Sequence, residues 1–111
     1  MPRPIRSIDI YPPLDYNDGR AIEESKFVGL QQQLLTRFGG VTSTHRAFPL
    51  QGLWKSEERV FQDRVVVLNV MDFRTGTDFE IIRYLERLKA RLRKKFDQLE
   101  LLITVQDLLA I

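Results

Sequence analysis

A chain of 111 residues fits one domain, and at that size it buries roughly two-thirds of its surface on folding without needing staples. It has no cysteine and one histidine, His45, which excludes disulfides, thiolate catalysis and Cys-based zinc sites and leaves no donor set for a dedicated zinc or iron centre. Lysine and arginine total 17 against 15 acidic residues, and a net charge of +2 does not by itself point to nucleic acid.

The N-terminal Met1-Pro2-Arg3-Pro4-Ile5-Arg6 carries charge but no apolar segment behind it, so no secretory signal is expected. No apolar run approaches the roughly 20 residues of a membrane span. These features predict a cytoplasmic protein with no membrane partner. From Ile5 to Tyr11 the chain alternates, with Ile8 and Ile10 on one side and Ser7, Asp9 and Tyr11 on the other. That is a strand with one buried face, ended by Pro12-Pro13. Asp15-Tyr16-Asn17-Asp18-Gly19 is turn chemistry.

From about Ala21 to Phe38 the period becomes helical. Phe27, Leu30, Leu34 and Phe38 form the stripe, with Ile22 and Leu35 beside it. Gly29 weakens this helix by roughly 1 kcal/mol relative to alanine and points to close packing against the sheet. Phe38-Gly39-Gly40-Val41-Thr42 is where the helix stops and a strand starts. Glycine takes the left-handed cap conformation without a Cβ clash. A ligand-cradling role is the sharper reading, but phosphate-cradling loops run from strand to helix, and this one runs the other way.

Val41 to about Leu50 reads as a strand, with Pro49 marking an edge or bulge. Gly52 to Lys55 and Arg59 to Phe61 read as a hairpin turning at Ser56-Glu57-Glu58. The lack of glycine there argues against a tight two-residue primed turn. Val65 to Met71 is the most hydrophobic run and predicts a central strand buried on both faces, with Asn69 as the odd residue. Its two faces are Val65, Val67, Asn69, Met71 and Val66, Leu68, Val70.

Thr77 and Glu80 fit a capping box, followed by a helix to about Lys95 or Phe96 with Ile81, Leu85, Leu88, Leu92 and Phe96 as its stripe. Gln98 to Gln106 reads as the last strand. The remaining Asp107-Leu108-Leu109-Ala110-Ile111 is apolar for a free tail and is expected to pack on this chain or a partner. The order predicts an α+β ferredoxin-like split βαβ sandwich: a four-stranded antiparallel sheet, with room for one extra short strand, and two helices on one face. The whole chain, 1–111, is expected to be one such domain.

Two helices on one face leave the other uncovered. That face is half apolar, which predicts a homo-oligomer, a dimer in the first instance, formed sheet to sheet. Asp9 and Asn69 are expected close together on it, beside Tyr11 and Met71. They form either a polar pair that fixes register or the floor of a pocket at a dimer interface. The second helix carries Arg83, Arg87, Lys89, Arg91, Arg93, Lys94 and Lys95 against Glu86 alone between residues 83 and 95. Arg83, Arg87, Arg91 and Lys94 read either as a solvated, dipole-compatible face or as an anion or nucleic-acid surface working through phosphates. His45-Arg46 reads as an ordinary edge-strand pair or a base with an anion clamp. Trp54 reads as a core or interface anchor.

The run Arg37-Phe38-Gly39-Gly40-Val41-Thr42, then Gly52-Leu53-Trp54, then Asp63 before Val65-Val66-Val67, then Leu88 and Phe96 before Gln98 and an Ile-Thr-Val strand, resembles a group of small uncharacterised bacterial proteins. The resemblance covers most of residues 5–106 and is most specific at Phe-Gly-Gly-Val-Thr. It implies a bacterial origin and the same ferredoxin-like fold, and it carries no catalytic residue over. The chain departs from the group in its basic second helix, where the group has a more aromatic start. No Ser-His-Asp order, paired glutamates or metal cluster is visible, and no cofactor is expected. The residues point to a non-catalytic binding or assembly protein, with a larger protein complex as a further expected setting. The alternatives are a nucleic-acid or polyanion-associated protein and a small-molecule enzyme with a pocket at the dimer interface.

Overall fold

The computed structural model describes residues 1–44, 50–73 and 77–111; for Leu50, Gly52, Trp54, Ser56 and residues 61–63 only the backbone is described. His45-Arg46, Pro49 and Thr75-Gly76 lie outside the described residues, as does the side chain of Trp54.

The elements are β1 (Arg3–Tyr11), α1 (Glu24–Phe38), β2 (Thr42–Ser43), β3 (Leu50–Ser56), β4 (Arg59–Val65), β5 (Leu68–Asp72), α2 (Asp78–Lys95) and β6 (Leu102–Ala110). Four strands form one antiparallel sheet in the order β2-β5-β1-β6. This is the ferredoxin-like arrangement that the element order predicts. β3 and β4 form a separate two-stranded hairpin inserted between β2 and β5.

β1 lies between β5 and β6, and its alternation divides the molecule. Ile8 and Ile10 are fully buried among Leu68 and Val70 of β5 and the helix stripes. Phe27, Leu30 and Leu34 of α1 and Ile81, Leu85, Leu88 and Leu92 of α2 complete this core, with Phe96 closing it edge-on against Phe27 at 5.2 Å. Each such side chain contributes about 1.5–3 kcal/mol on burial. Arg6, at the end of the same face, donates to Asp78 in the first turn of α2 (2.8 and 3.0 Å) and to the buried Asp72 of β5 (3.4 Å). The Asp78 hydrogen bond leads the contacts that hold its guanidinium above the usual value.

Several expected boundaries move, each for a physical reason. α1 starts at Glu24 rather than Ala21 because the preceding loop folds back on itself. Asp15 bridges Ala21, the Ile22 amide donates to the Leu14 carbonyl (2.8 Å), and Gly19 turns the chain at φ 90°. Ile22 is therefore buried from the loop, not from the helix. The Val65–Met71 run is not one strand. The Val66 amide turns to the Pro12 carbonyl and the Val67 amide to the Thr44 hydroxyl, so β4 ends at Val65 and β5 begins at Leu68. Nor is it buried on both faces: Val66, Leu68 and Val70 are buried, whereas Asn69 is half-buried and Met71 exposed.

The hairpin turns through Glu57 and Glu58 alone, since Ser56 pairs with Arg59. Glu57 takes φ 57° there, so a two-residue turn forms without glycine. Gly29 faces the Lys95 ammonium of α2 (3.3 Å from an ideal Cβ), not the sheet. α2 is capped by Thr77, which accepts from the Glu80 amide. It closes through Asp97 at φ 49°, with the Gln98 amide reaching the Arg93 carbonyl (2.8 Å). That exit uses up residues 97–101, so the last strand starts at Leu102, and the apolar tail becomes its second half, paired with Arg3–Arg6 of β1.

The N-terminus of α1 has no side-chain cap from Glu23. Instead the Glu23 carboxylate accepts from the Tyr16 hydroxyl, and Lys26 donates to both (2.5 Å to Tyr16, 3.3 Å to Glu23). The Tyr16 hydrogen bond is the main reason the Glu23 carboxyl is lowered to about 2. A lowered carboxyl stabilises the fold above its unfolded value near 4.5 and loses that contribution as pH falls toward 2. Urea titrations of wild type and Glu23→Gln are therefore expected to differ at pH 6 and to converge as pH drops from 4.5 to 2. A difference that is constant across that window would refute the assignment.

Candidate functional site

The open face of the sheet carries a polar knot at its centre. Pairing places Asp9 opposite Asn69 on one side and Thr104 on the other, with Thr42 beyond Asn69. The Asn69 amide nitrogen donates to Asp9 Oδ1 (2.7 Å) and Ser7 Oγ (2.8 Å). The second Asp9 oxygen accepts from the Tyr11 hydroxyl at 3.4 Å. Ser7 is itself buried. Both donor directions of the Asn69 amide are thus used, and among the described residues nothing donates to its carbonyl oxygen.

Asn69 also forms part of the wall of a cleft of about 450 Å³. The other walls are the Phe38-Gly39-Gly40-Val41-Thr42 loop on one side and Met71 and Phe73 on the other. The loop is placed by the end of α1. Gly39 takes φ 82° and its amide donates to the Leu35 carbonyl (2.8 Å), which closes the helix. Phe38 is partly buried and packs edge-on against Tyr84 of α2 at 5.9 Å. An ideal Cβ at Gly39 or Gly40 would meet no protein atom within 4 Å. Close packing therefore does not demand glycine at either position. Gly39 is held by its left-handed backbone, while Gly40 simply leaves space beside the cleft.

The sequence reading gave this loop a capping role, and Gly39 performs it. The structure joins this loop to the open face, because β2 runs antiparallel beside β5 and brings Thr42 next to Asn69. No sequence spacing signals that junction. Asp9, Tyr11 and Asn69 do come together as expected, whereas Met71 flanks the cleft without joining the hydrogen bonds. Phe73 (48% exposed) and Leu102 (56%) extend the exposed apolar surface, and Arg3 stacks over the Phe73 ring at 4.6 Å.

Arg83, Arg87, Arg91 and Lys94 are all exposed on α2, on the opposite side of the molecule from the knot. Arg91 borders a second groove, about 560 Å³, with Gln32, Gln33, Thr36 and Arg37 of α1 and with Tyr84. Arg37 lies over the Tyr84 ring at 4.2 Å. Among the described residues no group of histidine, cysteine, aspartate and glutamate could hold a metal ion. Among them, too, no helix is long and apolar enough to cross a membrane.

Two glycine substitutions separate cap from cleft. Gly39→Ala is expected to cost about 1–2 kcal/mol in chemical denaturation, the penalty of a side chain in the left-handed region. Gly40→Ala is expected to stay within about 0.5 kcal/mol of wild type. Equal losses at the two positions would contradict this division.

No protein-family model matches the sequence, and no curated protein matches it either. Solved structures do share the architecture. A phage SAM lyase in complex with S-methyl-5′-thioadenosine matches with a TM-score of 0.69 at 15% identity, over 92% of this chain and 80% of that one. A phage SAM lyase in the apo state matches at 0.68 and 14%, over 96% and 84%. CPII from Thiomonas intermedia K12, bound to ADP and bicarbonate, matches at 0.52 and 14%, over 99% and 91%. At these identities the likeness establishes the fold, and the chain is an α+β protein of the ferredoxin-like class.

Proposed function

We propose that this chain is a small ligand-binding protein that works as an oligomer and takes a 5′-substituted adenine nucleoside in the cleft beside the Gly39-Gly40 loop. The observation that carries this reading is the cleft itself. It joins a backbone loop free of side-chain bulk, an apolar wall and one uncommitted acceptor at Asn69. Its volume falls within the range of about 300–1,000 Å³ typical of small-molecule sites. Phe38, Val41, Met71 and Phe73 offer apolar and aromatic surface suited to the faces of a purine. The Asn69 carbonyl suits an exocyclic amine, and the Gly40 amide is a backbone donor near the same opening.

The fold's neighbours support the ligand class. One was solved with S-methyl-5′-thioadenosine and another with ADP, both adenosines substituted at the 5′ position. The cleft opens along the face that carries exposed Met71, Phe73 and Leu102. A second copy packed on that face would cover these side chains and close the open side of the cleft. We read the chain as a homodimer on this basis, and as a cytoplasmic one.

A second reading, an enzyme acting on such a nucleoside at the interface, draws on the Asp9 carboxylate. That carboxylate is held by Tyr11 and Asn69 beside the cleft. Turnover of S-adenosylmethionine by the wild type, abolished in Asp9→Asn, would favour it over simple binding.

Isothermal titration with S-methyl-5′-thioadenosine and ADP is expected to give binding for at least one of them, weakened tenfold or more in Gly40→Val. No heat for either nucleoside at millimolar concentration would overturn the ligand assignment. Sedimentation equilibrium at micromolar concentration is expected to give a dimer, and Met71→Lys to shift it toward monomer. A wild-type monomer would overturn the assembly.

A further inference from the structure

The basic stripe of α2 is set against α1 in a way that composition does not reveal. At 100° per residue, Arg83, Lys94, Arg87 and Arg91 fall within about 80° of arc, on the flank adjoining Tyr84. Tyr84 and Arg91 border the groove whose other bank is α1, with Gln32, Gln33, Thr36 and Arg37. Arg91 thus ties the stripe to the groove, while Arg83, Arg87 and Lys94 continue it as an exposed row along the same flank of α2. From Arg83 to Lys94 it runs for about 16 Å along the helix axis.

Charge is not consumed along this line. Arg6, Arg20, Lys26, Arg64 and Lys89 all have carboxylate partners at 2.6–3.4 Å. Among the described residues Arg83, Arg87, Arg91 and Lys94 have none. Glu80 lies at the N-terminal end of the stripe and Glu86 on its flank one turn from Arg83, neither of them paired with a stripe cation among the described residues, and the opposite bank of the groove contributes neutral amides and a hydroxyl besides Arg37. The macrodipole of α2 does not account for the row, because its effect falls off beyond the last turn, and Arg83 and Arg87 stand two turns or more from it. The groove holds Arg37 and Tyr84 stacked at 4.2 Å, which fixes a cation in place beside an aromatic face.

We propose that the exposed flank of α2 beside the α1–α2 groove binds the phosphodiester backbone of nucleic acid, with Arg83, Arg87, Arg91 and Lys94 as the phosphate contacts. An extended row of unpaired cations matches an extended anion better than a single phosphate, and guanidinium groups pair with phosphate oxygens in bidentate fashion. Contacts made to phosphates alone carry no sequence information, so binding is expected to be sequence-independent. This site lies on the helix layer, away from the cleft at Asn69, and stands or falls independently of it.

The test is fluorescence anisotropy with a labelled 20-nucleotide single strand and the matching duplex, titrated in salt. Four phosphate contacts predict a slope of log affinity against log salt of about −2.8 for the single strand and −3.6 for the duplex. The exposed pair Arg87→Gln/Arg91→Gln is expected to flatten the slope by about 1.4 for the single strand and about 1.8 for the duplex, and to lower affinity at least tenfold at low salt. Arg87→Lys/Arg91→Lys should largely restore the slope, since a lysine still contacts phosphate. The hairpin pair Lys55→Gln/Arg59→Gln removes the same net charge and should leave both quantities near wild type. Circular dichroism checks that each variant keeps its helices. Absence of binding to either nucleic acid at low salt would overturn the proposal, as would equal losses in the helix and hairpin pairs. Poly-glutamate binding with the affinity of nucleic acid and the same dependence on Arg87 and Arg91 would also overturn it, in favour of an acidic protein partner.

Discussion

Much of this molecule depends on the period of two along β1. Ile8 and Ile10 go under the helices, so Ser7, Asp9 and Tyr11 must go to the open face. A slip of one residue would carry the Asp9 carboxylate into the core and put two isoleucines in water. Burying an unpaired carboxylate there would cost more than the fold can supply, so the register is strongly specified. Asn69 reinforces it from the neighbouring strand by donating to both Ser7 and Asp9. The knot is therefore a structural device first. Its carboxylate oxygens are both engaged, and what is left for other partners is the Asn69 carbonyl and the space above it.

The helix layer imposes the second arrangement. Arg37 and Phe38 are consecutive, yet they serve different surfaces. Arg37 stacks on Tyr84 at the interhelical groove, and Phe38 meets the same ring on the way to the Gly39-Gly40 cleft. Tyr84 is thus the shared packing point between the two clefts. The groove is cationic and carries amides because α1 turns its glutamines, Thr36 and Arg37 outward there, while Phe27, Leu30 and Leu34 point inward. The cleft on the sheet side instead mixes apolar surface from Phe38, Val41, Met71 and Phe73 with the polar Thr42 and Asn69 and carries no charged side chain among its described lining residues. One helix end thereby supplies a wall to two chemically different surfaces.

Legibility followed the length over which a pattern was sustained. The stripes of α1 and α2 and the alternation of β1 run for many residues and were read correctly. Their outcome depends on burial that any ferredoxin-like packing provides. The Thr77–Glu80 cap was read from local chemistry alone. The Val65–Met71 run misled because an apolar run records burial, not which partner each amide finds. Val66 and Val67 left the ladder for Pro12 and Thr44, which are distant in sequence. The start of α1 misled for a related reason. Ile22 has helical spacing, but the loop holds its backbone through Leu14. The hairpin turn formed without glycine because the pairing of β3 with β4 imposes the left-handed conformation on Glu57.

The sequence by itself determined the fold class, the two faces of β1, the apolar stripes and the concentration of cations on the second helix. Each of these is a local periodicity, and periodicity is a property of the chain before it folds. Tertiary structure alone decided where the Gly39-Gly40 loop stands. It is a helix cap by local chemistry and the wall of a cleft only because β2 pairs with β5. Tertiary structure also decided that Arg91, at one edge of the cationic row of α2, borders a groove against α1. Both outcomes join residues some 30 to 60 positions apart. Such junctions are set by strand order and helix packing, for which a single chain read in order carries no signal.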